Sequence, residues 1–407
     1  MSNNKITTRE YAFSFAMITA LFFLWGMAHG MLDILNKHFQ EILQISKAKS
    51  GMIQFAVYIA YFLMALPAGY FLRKFGYKKG IILGLSLFAL GALMIAATTG
   101  YESFWLFLIF LFMLGCGLAT LETAANPYTT KLGPSESAER RINFSQSFNG
   151  MAWTVGPLIG IYIYQAGSSV EGEKLKSLMW PYLIIGLVVM LVAVVFAFTK
   201  LPEITEDYDD PDAANVSQKP LSKDRHLVLG VIAQFSYCAA QTGIFSYLIN
   251  YLTDATQPVH FDTAVGPYLL SIGFALFMIG RMSGSYMMKF YKPTNILAFY
   301  SLMCVALLPL VSLSMGWVSI ISLFAIFFFM SIMFPTIFAL AIKDLGPKTK
   351  KASSYIIMSI VGGAIFPPLM GLIADITHSM AIGFLVPIPL FVYILFYALK
   401  GHRVLPN

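Results

Sequence analysis

The stretch FWLFLIFLFMLGCGLATLETAAN (residues 104–126) is long and apolar enough to cross a lipid bilayer as one helix, because about 20 apolar residues span the hydrocarbon core. Glu122 lies near its end, and a second acid, Asp33, lies in the apolar stretch 11–35. An acid at bilayer depth costs about 2.5–3.5 kcal/mol on insertion scales, so such residues are usually functional. The two acids indicate that protons or polar solutes cross the membrane.

The composition extends this prediction to the whole chain. Of 407 residues, 58% are hydrophobic and 12% are charged, which is too apolar for a soluble domain of this length. The first apolar segment is too long for a signal peptide and lacks a cleavage site. We predict an all-α membrane protein with twelve spans, at residues 11–35, 50–71, 79–98, 104–127, 142–165, 179–199, 226–251, 265–289, 294–314, 317–342, 352–374 and 380–399.

The basic residues predict how these spans are oriented. With an even number of spans, 22 of the 27 Lys and Arg residues fall on the side of the termini and 5 on the other. Because cytoplasmic loops are rich in Lys and Arg, we expect both termini and the long middle loop in the cytoplasm. The net charge of +7 follows from this topology. We therefore expect the protein to contact the lipid bilayer and not to bind nucleic acid.

Two similar halves are predicted on either side of a polar linker. Residues 200–225 are acidic, contain proline and have few apolar residues, which is typical of a flexible linker. We expect six-helix bundles at residues 1–199 and 226–407. LGPSESAERRINFSQSFNGMAWTVGPLIG (residues 132–160) aligns with LGPKTKKASSYIIMSIVGGAIFPPLMG (residues 345–371). Repeated halves are typical of secondary transporters that rock around a midplane site.

Polar and aromatic side chains lie at helical spacing within several spans, as they would on the wall of a cavity. Such stripes suit a sugar, because amides and carboxylates form hydrogen bonds with the sugar hydroxyls and an aromatic ring packs against the apolar C–H face of the sugar. Burial favours the protonated acid, so a buried acid can carry a proton. The stripes are Trp25, His29 and Asp33 on span 1, Glu122 and Asn126 on span 4, Asn143, Gln146 and Asn149 on span 5, Gln234 and Gln241 on span 7, and Phe334 and Phe338 on span 10.

Each of these residues also has a structural interpretation. A membrane amide can join helices, and an aromatic residue can face lipid or the core. His29 fits either a proton relay or a hydrogen-bonding pore residue, and Arg281 fits snorkelling, a gate or substrate contact. The three cysteines, Cys116, Cys238 and Cys304, suit apolar packing better than a disulfide or metal site. No soluble-enzyme motif is present.

Several motifs resemble the fucose–galactose–glucose:proton symporters of the major facilitator superfamily. They are FLWGMAHGMLDILNKHFQ, LETAANPYTTKLGP, RINFSQSFNG, AQFSYCAAQTGIFSYLINY, IGRMSGSYMMKF, FPTIFALAIKDLGPKTKKASSYIIMSIVGG and PPLMG, and the resemblance runs from about Phe15 to Gly371. The resemblance implies a twelve-helix sugar:proton symporter of a bacterial inner membrane, in which Asp33 and Glu122 couple protons. We expect no cofactor other than the proton, no metal, no enzymatic activity and a monomer. The residues expected to bind the sugar are Gln146, Asn149, Glu122, Asn126, Trp25, His29, Gln241, Phe334 and Phe338.

The pair Ala240–Gln241 favours the fucose branch of this family, so L-fucose is the first candidate substrate. The chain departs from that branch at His29 and Gly30, where the branch has asparagines, and at Phe334, where it has tyrosine. Glucose, galactose or N-acetylglucosamine therefore remain alternatives. Leu72 also replaces the usual aspartate of the superfamily's basic turn, here RKFGYKK (residues 73–79). A drug exporter, a facilitator and a membrane sensor are the rival functions.

Overall fold

The computed structural model describes residues 6–43, 52–101, 103–167, 178–202, 220–262 and 265–404, and for 31–43, 157 and 160–167 it describes the backbone only. Within these ranges the regular structure is entirely helical. Spans 1–6 correspond to the helices Ala12–Leu43, Met52–Thr98 (spans 2 and 3), Phe104–Lys131, Ala138–Gly167 and Met179–Phe198. Spans 7–12 correspond to Arg225–Leu252, Gly266–Met287, Pro293–Ser312, Trp317–Met330 with Met333–Ala341, Thr349–Met358 with Gly362–Thr377, and Met380–Gly383 with Ile388–Phe396.

Ten helices in the described residues are long and apolar enough to cross a membrane. One of them, Met52–Tyr101, has 50 residues, a length of about 75 Å at 1.5 Å per residue, whereas the hydrocarbon core is about 30 Å thick. Its backbone turns at Gly76, where φ is +83°, a left-handed conformation that glycine adopts readily. Twelve crossings follow when this helix is counted as two spans and the more polar span 5, Ala138–Gly167, is included.

The connections between spans 4 and 5 and between spans 10 and 11 have the same local structure. Each contains one short 3₁₀ turn, Ser135–Ser137 in the first and Gly346–Lys348 in the second. The following helices begin at Ala138 and Thr349, so the turns and the helix starts are both 211 residues apart. This is the offset between the ends of the aligned sequences, Gly160 and Gly371, whereas their starts, Leu132 and Leu345, are 213 residues apart. The repeat that the sequence predicts is therefore present in the local structure.

Arg141 holds the first of these connections to the start of the chain. Its buried guanidinium donates to the carbonyl oxygens of Thr129 at 2.8 Å and of Ile6 and Pro134 at 3.0 Å, and also to that of Thr130. The Thr7 hydroxyl donates to the Leu132 carbonyl at 2.6 Å. A buried guanidinium needs such acceptors to offset its lost hydration, and here the acceptors fix residues 6 and 7 to the end of span 4.

The helices before the linker contact those after it at both ends of the bundle. Span 5 packs against spans 8 and 10, and span 2 packs against span 11. We call the end that carries Gly76 and the connections 132–137 and 343–348 the turn side. There a Cβ added to Gly69 would lie 1.7 Å from the Ser354 hydroxyl, so spans 2 and 11 approach closely because Gly69 has no side chain.

The departure at Leu72 has a structural counterpart at the same end. Leu72 is fully buried, and its side chain lies against Gly80, so an apolar contact occupies the place of the usual carboxylate. The Lys350 ammonium lies 4.9 Å from the centre of the Tyr77 ring, within the range of a cation–π interaction. The basic turn therefore contacts span 11 through an aromatic ring.

Candidate functional site

A cavity lies between the two sets of helices, near the middle of the bundle. Polar, aromatic and ionisable side chains from spans 1, 2, 4, 5, 7, 8, 10 and 11 form its wall. They are Trp25, His29, Tyr58, Tyr61, Glu122, Gln146, Asn149, Trp153, Cys238, Gln241, Thr242, Arg281, Phe334 and Ile360.

Glu122 lies on the cavity wall and is almost fully buried. Its Oε1 accepts a hydrogen bond of 2.7 Å from the Tyr61 hydroxyl of span 2. The Tyr61 oxygen also lies 3.4 Å from Nε2 of His29. The acid is therefore held between neighbouring helices of the first half and joined to an imidazole, which suits a group that gains and loses a proton.

The amides of span 5 lie beside this acid. The Gln146 side chain donates to Oδ1 of Asn126 at 3.3 Å, and the Asn149 side chain donates to the Phe22 carbonyl at 3.2 Å. These bonds hold both amides in place while each still borders the cavity. An amide offers both a donor and an acceptor, which is what a sugar hydroxyl requires.

Arg281 crosses from the second half to the first. It is buried, and it donates to the Ser331 carbonyl at 2.6 Å, the Gln146 carbonyl at 2.8 Å and the Gln146 Oε1 at 3.1 Å. Its guanidinium carbon lies 4.4 Å from the centre of the Phe277 ring. Arg281 therefore does not snorkel to the membrane surface: it joins spans 5, 8 and 10 beside the cavity.

Aromatic rings pack between the two halves on the side of the cavity away from the turn side. The Trp153 ring stacks on His29 at 5.7 Å between ring centres and an interplanar angle of 14°. Its edges meet Phe245 at 5.4 Å and Phe274 at 5.3 Å, and these two rings are 4.9 Å apart. Trp153 thus connects span 1 of the first half with spans 7 and 8 of the second.

The structure brings together most of the residues that the sequence nominates. Trp25 and His29 share the cavity face of span 1, Gln241 borders the cavity from span 7, and Phe334 borders it from span 10. Asp33 lies one turn after His29 in the described backbone of span 1, and its side chain lies outside the described residues.

Two nominated residues do not border the cavity, and their contact with a sugar stays a prediction. Asn126 is fully buried where spans 4 and 5 pack, and it accepts from Gln146 instead. Phe338 is fully buried one turn beyond Phe334. Four residues advance a helix by about 6 Å and by about 40° more than one full turn, which carries both side chains out of the cavity and into the packing on the turn side.

Other members of the stripes lie within the helix packing. The Asn143 side chain donates to the Glu139 carbonyl at 2.8 Å and to the Thr336 hydroxyl at 3.0 Å, so it joins span 5 to span 10. Gln234 is fully buried away from the cavity. Gly30 faces Gly156, where an added Cβ would lie 3.1 Å from that residue's Cα. Gly30 therefore allows spans 1 and 5 to approach and does not face a substrate.

Sequence reasoning missed Tyr58, Tyr61 and Trp153. Trp153 lies four residues after Asn149, so extending the span 5 stripe by one turn would have found it. Tyr61 has no such signal, because span 2 carries few polar residues and a tyrosine there equally fits the core.

The three cysteines have free thiols, and Cys238 borders the cavity. No group of three or more His, Cys, Asp or Glu suited to a metal ion occurs among the described residues.

Comparisons with known proteins agree with this architecture. The sequence pattern of the Major Facilitator Superfamily matches residues 15–363. The chain is 36% identical to the L-fucose-proton symporter of Escherichia coli K12 over 96% of this chain and 93% of that protein. It is 35% identical to the glucose/galactose transporter of Brucella abortus over 99% and 98% of the two chains.

Solved structures show the same fold. The crystal structure of the transporter FucP in the outward conformation superposes with a TM-score of 0.83 at 36% identity, covering 96% of this chain and 99% of that one. The proton:xylose symporter XylE superposes with a TM-score of 0.78 at 11% identity, which shows the fold alone. The match over most of the chain and the identity to full-length relatives place this protein in the Major Facilitator Superfamily, in one family with the L-fucose-proton symporter and the glucose/galactose transporters.

Proposed function

We propose that this protein imports a neutral monosaccharide together with protons by alternating access, with L-fucose as the first candidate substrate. The observation that carries the proposal is a cavity between the two halves where a buried acid, Glu122, lies beside the amides of Gln146 and Asn149. An exporter of hydrophobic compounds needs fewer such amides, and a facilitator needs no buried acid.

The lining supports separate roles for these groups. Glu122 takes up and releases the coupling proton, and Asp33 is proposed as a second coupling acid because of its place on the cavity stripe of span 1. Gln146, Asn149 and Gln241 bind hydroxyl groups, while Trp25 offers a flat apolar surface to the C–H face of the ring. Proton entry down the membrane potential supplies about 2.3 kcal/mol per charge per 100 mV, which drives accumulation of the sugar.

The choice of sugar rests on a few positions. Gln241, which favours the fucose branch, borders the cavity, as do two departures from that branch, His29 and Phe334. Gly30, the remaining departure, faces Gly156 and so does not bear on the substrate. Identity to the fucose and glucose/galactose relatives is nearly equal, so glucose, galactose and N-acetylglucosamine stay as alternatives.

The proposed arrangement in the cell is a monomer in the bacterial inner membrane with both termini cytoplasmic. Residues 1–199 and 226–407 then form the two moving bundles, joined by the linker 200–225. The turn side faces the cytoplasm, since it carries the connections that are rich in Lys and Arg.

The test is uptake of radiolabelled L-fucose into proteoliposomes with and without an inward proton gradient, competed by D-galactose, D-glucose and N-acetylglucosamine. We expect gradient-driven accumulation that unlabelled L-fucose blocks. Accumulation of another of these sugars would change the substrate and keep the symport mechanism. Absence of gradient dependence for every sugar would contradict symport.

Glu122→Gln sharpens this test. Removing the ionisable group should abolish accumulation of the sugar and leave at most entry of sugar down its own gradient. Asp33→Asn, at the second proposed coupling acid, should have the same effect. The matched control is Glu136→Gln, which changes an exposed acid in the connection between spans 4 and 5 and should transport as wild type. Full accumulation by Glu122→Gln would remove this acid from the coupling mechanism.

A further inference from the structure

Tyr61 lies between two groups that can each hold a proton. Its hydroxyl is 2.7 Å from Glu122 and 3.4 Å from His29, so one oxygen joins a carboxyl on span 4 to an imidazole on span 1. The second distance is at the long end for a hydrogen bond. Tyr61 is fully buried, so little water competes for these contacts.

The backbone determines which nitrogen of His29 is available. Nδ1 lies 3.2 Å from the Trp25 carbonyl oxygen, and because a carbonyl only accepts, Nδ1 carries the hydrogen. In the neutral imidazole, Nε2 is then an acceptor, and it points at the Tyr61 hydroxyl. The ring cannot easily turn away from this position, since it is stacked on Trp153.

These roles define one proton transfer between the two groups. When Glu122 is protonated, its O–H can donate to the Tyr61 oxygen while the Tyr61 O–H donates to Nε2. Breaking both O–H bonds and forming a new O–H on Tyr61 and an N–H on Nε2 leaves a carboxylate, a neutral tyrosine and an imidazolium. The reverse transfer protonates Glu122. No other reactant is needed, and Tyr61 is unchanged.

His29 also lies toward the side from which protons would enter. Its ring contacts Trp153, which packs against Phe245 and Phe274. These rings lie on the side of the cavity opposite the turn side. The titratable or charged groups that share its cavity are Tyr58 and Tyr61 of span 2, Glu122 of span 4, Cys238 of span 7 and Arg281 of span 8. On span 1 itself, Asp33 follows one turn later, and its side chain is not described.

We propose that Tyr61 relays protons between His29 and Glu122, with His29 as the group through which the coupling proton reaches the buried acid. This inference rests on the proposed symport and adds a path for the proton. The fucose branch that this chain resembles has asparagine in place of His29, so the relay is not expected in that branch.

The first test is Tyr61→Phe, which removes the hydroxyl and keeps the ring. Two measurements are made on proteoliposomes, first with L-fucose and then with D-galactose. The first is exchange of labelled for unlabelled sugar without a proton gradient. The second is proton entry, reported by a pH-sensitive dye inside the vesicles when sugar is added outside. We expect exchange within about threefold of wild type and sugar-driven proton entry lowered about tenfold or more, because a hydrogen bond to a charged group contributes about 1.5–3 kcal/mol.

The matched control is Tyr251→Phe. Tyr251 is also a buried tyrosine, and its hydroxyl donates to the Val311 carbonyl at 2.8 Å, away from the cavity. It should keep both activities. Normal proton entry in Tyr61→Phe would overturn the relay, and so would an equal loss of exchange and proton entry, which would indicate a role in sugar binding alone.

The second test is the pH profile of His29→Asn. Asparagine accepts no proton, so the variant should lose the pH-dependent step that His29 gives to proton entry in wild type, and the number of protons that enter per sugar exchanged should fall about tenfold or more. The relay would be contradicted by an unchanged profile. If wild type itself couples neither sugar to protons, the proposed function fails, and the relay fails with it.

Discussion

The two halves of the protein contact each other through different chemistry at the two ends of the cavity. On the turn side, directional contacts join the halves: Asn143 donates to Thr336, and the hydroxyls of Ser285 and Ser353 donate to the carbonyl oxygens of Arg140 and Thr123. On the opposite side, the contacts around Trp153 are between aromatic rings.

This difference predicts how each end opens. Parting the turn side leaves donors and acceptors that water can satisfy, so each lost bond changes the free energy little, about 0.6 kcal/mol in membrane proteins. Separating the rings exposes apolar surface to water, which costs about 25 cal/mol of free energy for each Å² exposed. The turn side should therefore respond most to steric changes, and the opposite side to the loss of a ring.

One assay measures both ends, since Cys238 borders the cavity. In a background with Cys116→Ala and Cys304→Ala, a membrane-impermeant maleimide is added to right-side-out or inside-out vesicles. With the proposed orientation, inside-out vesicles present the turn side. The rate of Cys238 alkylation then reports how often each end opens.

The largest effect is expected from Gly69→Leu. A Cβ there already meets Ser354, with the Lys350 carbonyl oxygen at 3.3 Å, so leucine should hold spans 2 and 11 apart. Overpacking costs about 1–3 kcal/mol, and we expect alkylation from the turn side to rise about thirtyfold while net uptake falls. Gly100→Leu is the control, because nothing lies within 4 Å of that Cβ. Unchanged alkylation in Gly69→Leu would show that spans 2 and 11 do not close this end.

A smaller effect is expected from Trp153→Ala at the opposite side. The variant loses two ring pairs, each contributing about 0.5–1.5 kcal/mol, so alkylation of Cys238 from that side should rise about tenfold. Trp180→Ala removes an exposed indole on span 6 and should leave the rate unchanged. An increase from the turn side instead would reverse the assignment of the two ends.

The smallest effect is expected from Thr336→Val, which removes one acceptor at nearly constant shape. Loss of about 0.6 kcal/mol should raise turn-side alkylation about threefold. A double-mutant cycle with Asn143→Ala isolates the contact: if the bond acts between the halves, the double variant should open less than the product of the single effects. Strictly multiplicative effects would contradict it.

Much of the fold was predictable because its signals are local. Long apolar segments predict the helices, and the aligned sequences at 132–160 and 345–371 predict the matching turns at Ser135–Ser137 and Gly346–Lys348. The break at Gly76 was also expected, since a basic, glycine-containing turn separates spans 2 and 3 in the sequence.

The site was most readily predicted where a polar residue stands out against an apolar helix. Glu122, Gln146 and Asn149 do so, and they border the cavity. Helical spacing did not reveal that Asn126 and Phe338 turn into the packing, because four residues overshoot one full turn. Tyr61 and the inward course of Arg281 depend on contacts between distant segments, which periodicity within one helix does not encode.

The Arg141 cluster has a practical consequence for handling the protein. This guanidinium needs the Ile6 carbonyl, and Thr7 is bonded to Leu132. A purification tag or fluorescent fusion that displaces residues 6 and 7 would therefore loosen the end of span 4, about two and a half helical turns from Glu122. Fusions belong after the exposed Val404, and N-terminal trimming should stop short of Ile6.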